Sequence, residues 1–233
     1  MKIGITERGD GGLNFPVVLD ALATGRVHGA IVITKDPRLL LETAWPDRLI
    51  AHCTITGLRG TAMEPHTPAP EETLAAYHAL VERYGGERVV LRVDPIIPHP
   101  DWIGRAQAIV PEARGRIRVS CLDAYTHVRN RLRAIGVELT RWPGVHAPLN
   151  VRQHYLAELQ ALTQHAFEIC GEPGMPCTGC VSARDLAAMG LPGVGHPGGF
   201  QRSACACIAE KTELLTVKAP CPYVCTYCYW KDR

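Results

Sequence analysis

Cys221, Cys225 and Cys228 stand in a C-x3-C-x2-C spacing, with Tyr227 immediately before the third cysteine. Three thiolates on one short loop can each hold one iron of a [4Fe–4S] cluster and leave the fourth iron open. An open iron can bind and reduce a small molecule, whereas a fully thiolate-ligated cluster mostly carries electrons. Zinc is the competing reading, but its sites usually pair cysteines two to four residues apart and need a fourth ligand. The aromatic run Tyr227, Tyr229 and Trp230 could shield a cluster from water or pack the chain end onto the rest of the fold.

The remaining cysteines are unevenly spread. Of ten in the chain, only Cys53 and Cys121 precede Cys170, each in an apolar run where a small buried hydrophobe is expected. The other eight crowd between Cys170 and Cys228. In a chain read as cytoplasmic, such clustering points to metal before disulfides. Cys177-x2-Cys180 is a common chelating spacing, and Cys205-Ala206-Cys207 brings two more thiols together. The stretch between them is rich in Gly and Pro (Pro192-Gly193, Pro197-Gly198-Gly199). It lacks apolar mass of its own, so a metal staple would have a physical task. Of the scattered histidines, only His196 lies inside this segment, as a substitute ligand.

The elements that must position these groups alternate along the chain. Lys2–Thr6, Gly29–Thr34, Leu49–Thr56, Arg88–Val93 and Arg116–Cys121 read as buried parallel strands, and Phe167–Cys170 and Glu213–Val217 as two more. Helical patterns fall at Phe15–Thr24, Pro37–Ala44, Pro70–Tyr84, Trp102–Val110, Ala124–Ile135 and Val151–His165. Pro70 suits a first helical turn, Glu71 and Glu72 favour the dipole, and Gly85-Gly86 stops the helix. Repeated βα units of this length predict one α/β domain over 1–233. Its expected fold is a (β/α) barrel, complete or incomplete, with the cysteine-rich segment 170–233 carrying the cluster loop. No G-x-G-x-x-G follows the first strand, which weighs against a dinucleotide fold.

In such barrels chemistry sits at the C-terminal ends of strands. Those ends here offer Glu7, Arg8 and Asp10, then Lys35 and Asp36, Thr54 and Thr56, Arg92 and Asp94, Asp123, and Cys170. Asp36 before Pro37 reads as a cap. Arg92 within an apolar strand must find a partner, and Asp94, two residues on, shares its face. A structural pair and an anion clamp are equally compatible with the sequence. Arg131 reads as a surface charge. The formal charge of +2 gives no case for nucleic acid. No apolar run reaches the ~20 residues that span a bilayer. The first residues enter a strand directly, without signal-peptide architecture, so a cytoplasmic location is expected.

The terminal spacing resembles the cluster loop of the radical S-adenosylmethionine (SAM) enzymes. The whole chain resembles a bacterial family of unknown function with such cysteines at its C-terminus. The likeness is carried by Arg8 and Asp10, Thr34-Lys35-Asp36-Pro37, Thr54-Ile55-Thr56-Gly57, Glu87-Arg88-Val89-Val90-Leu91-Arg92-Val93-Asp94-Pro95, Leu122-Asp123-Ala124-Tyr125, Gln201-Arg202, and the terminal Cys-x3-Cys-x-Tyr-Cys-Tyr. Cys170, Cys180, Cys205 and Cys207 also match the family pattern and would complete a second site, leaving Cys177 spare or substituting for Cys170. That site could hold structural zinc or a second [4Fe–4S] cluster, or lend a fourth ligand to the terminal one.

In radical SAM enzymes the loop follows the first barrel strand. Here the strand before it comes last, expected next to the N-terminal strand as in a circular permutation. The resemblance implies an iron–sulfur enzyme that cleaves SAM at the open iron and acts on a small-molecule or unknown substrate, using a reductant such as ferredoxin or flavodoxin. Glu7, Arg8, Lys35, Arg92 and Asp94 are the candidates for holding SAM, with Arg92, Asp94 and Lys35 also candidates for the chemistry. The alternatives are an iron–sulfur electron-transfer or sensor protein, and a zinc-stapled barrel without SAM chemistry.

Overall fold

The computed structural model describes residues 1–139, 142–193, 195–198, 204–215 and 221–230. Among the described residues, seven strands form one sheet: Ile3–Ile5 (β1), Gly29–Thr34 (β2), Leu49–Thr54 (β3), Val89–Ile96 (β4), Ile117–Cys121 (β5), Phe167–Ile169 (β6) and Lys211–Glu213 (β7). The strand order is β6-β5-β4-β3-β2-β1-β7, and every pairing is parallel. The sheet curls into a half-barrel, the incomplete form of the expected barrel.

The last strand lies beside the first, as expected, with Ile3 opposite Lys211 and Ile5 opposite Glu213. Its bounds differ from the expected Glu213–Val217, of which residues 216 and 217 lie outside the described residues. Glu213 ends the strand because its carboxylate accepts the N–H of Leu215 at 2.9 Å and that of Glu7 at 2.9 Å. The close approach requires Gly4, where a Cβ would come within 2.7 Å of Leu214.

Helices Phe15–Ala23 (α1), Pro70–Tyr84 (α2), Pro100–Ile109 (α3), Thr126–Ala134 (α4) and Leu149–Gln160 (α5) fall where the sequence pattern places them, although α5 ends at Gln160 and not at the expected His165. The expected helix over Pro37–Ala44 is only a 3-10 turn, Pro37–Leu40. Asp36 caps that turn by accepting the N–H of Arg38 at 3.2 Å, and the chain leaves it at Leu41. A sixth helix, Ala183–Ala188 (α6), carries a capping box between Ser182 and Asp185. At six residues it is too short to show a hydrophobic period.

Side chains alternate between the two faces of the sheet. Val89, Leu91 and Val93 of β4, with Cys53 and Cys121 of the flanking strands, join the apolar layer beneath the helices. On the inner face, Ile3, Ile5, Ile31, Ile50 and Val90 pack against Cys170, Val181, Leu186, Met189 and Ile208. The cysteine-rich segment therefore fills the inside of the half-barrel.

The inner face of β5 is charged. Arg116 pairs with Glu168 at 2.7 Å and with Asp185 of α6 at 2.8 Å, while Arg118 donates to the Cys180 carbonyl at 3.0 Å. Buried charges need such partners, and these fix the start of α6 against the strands. Among the described residues no helix is long and apolar enough to cross a membrane.

Candidate functional site

The terminal loop lies across the ends of β3, β4 and β5. Tyr223, Cys225 and Tyr227 share a buried apolar cluster with Leu58, Met63, Ile97 and Leu122. Thr226 ties the loop down, its N–H donating to the Met63 carbonyl at 2.9 Å and its hydroxyl to the Ala62 carbonyl at 2.7 Å. The Tyr229 hydroxyl accepts the N–H of Asp123 at 2.9 Å, and Arg8 lies 5.2 Å from the Trp230 ring centroid. The aromatic run thus packs the chain end onto the barrel mouth.

Within the loop Cys225 is buried, Cys228 half-buried and Cys221 exposed. Val224 takes a left-handed φ of 50°, which is costly for a β-branched residue. Such outliers concentrate at sites where geometry is demanded by function. Burial pushes the Cys225 thiol up to about 12 against the opposing charge of Lys35, and Cys221 and Cys228 each act electrostatically on it. Burial also raises Cys221, whose sulfur accepts the Tyr223 N–H. The three thiols are therefore neighbours on one loop.

Lys35 is the cation beside them. Its ammonium pairs with Glu64 at 2.6 Å and lies 5.4 Å from the Tyr227 ring centroid. Glu64 also accepts the Thr56 hydroxyl at 2.8 Å, the Thr67 hydroxyl at 3.2 Å and the Tyr227 hydroxyl. Burial alone would lower the Lys35 ammonium, but Glu64, Cys225 and Asp94 together raise it. Glu64 is likewise raised by burial yet held below its ordinary value by Lys35 and its hydrogen bonds.

The second group of thiols lies deeper. Cys170 and Cys180 sulfurs are 3.1 Å apart, Cys207 shares their buried cluster, and Cys205 packs against it. Two cations face this chain of thiols: Arg92 lies 3.9 Å from Cys180 and Lys211 lies 3.6 Å from Cys207. The hydrogen bonds from Cys170 and Cys207 hold the Cys180 thiol well below its usual range, against burial and with help from Arg92 and Lys211. Lys211 in turn pairs with Glu7 at 2.7 Å. Burial raises Glu7 to about 7, Cys180 adds to this, and Lys211 opposes it. Cys177 stands apart, its sulfur bonded to the backbone of Glu172. His196 contributes its carbonyl to Ala209.

Arg92 joins the two groups. Its guanidinium is hydrogen-bonded to Asp94, so the sequence-level pair exists. Arg92 faces Cys180, while Asp94 acts on Lys35 and Tyr227. Glu7, Lys35, Arg92 and Asp94 thus lie along one charged line between the two groups of thiols, with Arg8 at its rim beside Trp230. Asp10 is instead structural, accepting the Thr34 hydroxyl and the Lys35 N–H, both at 2.7 Å. Gln201 and Arg202 lie outside the described residues.

Sequence reasoning missed Glu64, Lys211 and the Arg116–Arg118–Glu168–Asp185 network. Arginines at alternate positions of an apolar strand were a readable signal for the network. Glu64, in a loop between Met63 and Pro65, carried none. Arg131 is not the surface charge expected, because it is half-buried and donates to the Cys228 carbonyl at 2.5 Å.

Among the described residues, no three His, Cys, Asp or Glu side chains are gathered as they stand to hold a metal ion. The donor chemistry of the terminal loop nevertheless fits a cluster bound by three thiolates beside one cation. The model of a domain of unknown function, DUF1848, matches residues 19–230. No curated protein and no solved structure matches the chain.

Proposed function

We propose that this chain, which belongs to the DUF1848 family of domains of unknown function, is an iron–sulfur protein acting as a radical SAM-like enzyme. Cys221, Cys225 and Cys228 would hold a [4Fe–4S] cluster. The observation that carries this reading is the position of three neighbouring thiols on one loop across the strand ends of a half-barrel, where barrel chemistry is done. When bound, a cluster with one open iron supplies one-electron cleavage of SAM to methionine and a 5′-deoxyadenosyl radical, which takes hydrogen from the substrate.

The chain's own residues have separable tasks. Lys35 offsets thiolate charge at Cys225. Tyr223 and Tyr227, both buried, exclude water from the inner side of the loop. Cys221, the exposed thiol, leaves an edge for a reductant such as ferredoxin or flavodoxin. Arg92 and Lys35 are the cations for the SAM carboxylate, Glu7 and Asp94 the carboxylates for its amino group, and Arg8 stands at the rim.

A second reading, an iron–sulfur electron-transfer or sensor protein, is favoured by one observation. Lys35, Arg92 and Glu7 already have partners within the chain. Adding SAM to the anaerobically reduced protein separates the two. In the enzyme reading the electron paramagnetic resonance spectrum changes and 5′-deoxyadenosine is released slowly. Asp94→Asn and Lys35→Met weaken the response while Arg26→Gln, at an exposed position, does not. A spectrum indifferent to SAM leaves the electron-transfer reading.

A further inference from the structure

We infer that Cys170, Cys180, Cys205 and Cys207 bind a single zinc ion, and that this ion staples the two open edges of the half-barrel together. The first ground is the spacing of the sulfurs. Zn–S bonds of about 2.3 Å in a tetrahedron place neighbouring sulfurs about 3.8 Å apart. Cys170 and Cys180 are already 3.1 Å apart, Cys207 lies in the same buried cluster, and Cys205 packs against it. In a [4Fe–4S] cluster each thiolate sits on its own iron, so sulfurs do not touch. Sulfurs as close as Cys170 and Cys180 therefore suit a mononuclear ion.

Charge supports the same assignment. Zinc binding releases the thiol protons to solvent and leaves a tetrathiolate centre of net charge −2. Arg92 lies 3.9 Å from Cys180 and Lys211 3.6 Å from Cys207, and they offset that charge. Such outer partners orient and tune metal ligands. Backbone geometry is equally specific. A Cβ at Gly179 would lie 2.5 Å from the backbone of Cys207, so only glycine lets the Cys180 turn rest on the Cys205–Cys207 stretch.

The position of the ligands gives the task. β6 and β7 are the two ends of the strand order. Cys170 directly follows β6, its N–H bonded to the Val119 carbonyl at 2.9 Å, and Cys207 lies just before β7. Cys180 sits between them at the start of the stretch that fills the half-barrel. One ion on these thiols joins both edges where hydrogen bonds between them are lacking among the described residues.

The test is metal analysis of the full chain produced with both iron and zinc supplied, as wild type and as the Cys221→Ala/Cys225→Ala/Cys228→Ala variant. Stoichiometric zinc is expected in both, with iron and sulfide only in the wild type. Absence of iron from the wild type would count against the terminal cluster alone. Absence of zinc from both proteins, or iron and sulfide persisting in the loop variant, overturns the zinc assignment. Gly179→Ala keeps every thiol and should weaken zinc about tenfold or more in competition with a chromophoric chelator, while Cys177→Ser leaves it unchanged. Cobalt substitution of the wild type gives an independent reading: intense thiolate-to-cobalt bands are expected, and their absence refutes the site. Stripping zinc should speed amide exchange in β6 and β7 together, and unaltered exchange there refutes the staple.

Discussion

Glu64→Gln keeps the shape of the side chain and removes its charge, which isolates the ion pair holding the terminal loop. The Lys35 ammonium would lose its nearest anion at 2.6 Å while remaining only 16% exposed. Breaking a buried pair from one side costs about 3–5 kcal/mol, and partial exposure lets Lys35 reach water, so about 3 kcal/mol is expected. Lys35→Met should cost less, about 1–2 kcal/mol, because Glu64 keeps three hydroxyl donors in Thr56, Thr67 and Tyr227. The double variant should recover about 2 kcal/mol relative to the sum of the singles, since neither charge is then left alone. Urea unfolding followed by far-UV circular dichroism reads all three values, with an unchanged m-value as the control for two-state behaviour. Amide exchange over 221–230 should quicken in Glu64→Gln, where Tyr227 loses a charged acceptor. A Glu64→Gln cost below about 1 kcal/mol, or strict additivity in the double variant, would refute the claim that this pair anchors the loop.

Two carboxyls should shape the pH profile in opposite senses. Glu7, raised to about 7 from 4.5, stays protonated in the fold while the unfolded chain ionises, so stability falls as pH rises through that window; Glu7→Gln should flatten the fall, and an unchanged slope contradicts it. Burial raises Glu168, but Arg116 and Arg118 hold it below 4.5 overall, so its contribution is present above 4.5 and lost as pH drops through its folded value; Glu168→Gln should blunt that acid loss. At Val224, relief of about 1–2 kcal/mol of left-handed strain should exceed the roughly 0.5–1 kcal/mol entropy cost of glycine, so Val224→Gly should raise the melting temperature. A lowered melting temperature would show that the backbone is not strained there.

The strand pattern was legible because buried parallel strands are continuous apolar runs, and Gly29–Thr34 falls where its residues alone place it. α2 was equally plain, its start and stop both written in Pro70 and Gly85. The Pro37 turn misled because a cap and an initiating proline begin a helix without supplying an apolar face to extend it. The Arg92–Asp94 pair could be read from spacing on one strand, since strand period alone puts both side chains on one face. Glu64 and Lys211 could not, because their partners Lys35 and Glu7 lie 29 and 204 residues away in the chain and no local spacing links them. The grouping of Cys180 with Cys207 came from the family resemblance and not from spacing, since their approach depends on a bare backbone surface at Gly179.

The central claim is that the terminal loop binds a redox-active cluster through three thiolates. Anaerobic reconstitution with iron and sulfide, followed by analysis of both elements in the wild type and in the Cys221→Ala/Cys225→Ala/Cys228→Ala variant, tests it most directly. The wild type should retain iron and sulfide in equal amounts, with a broad absorbance near ~400 nm that dithionite bleaches and the variant lacks. Wild-type protein that carries no iron or sulfide after reconstitution, or a variant that retains both unchanged, would contradict it.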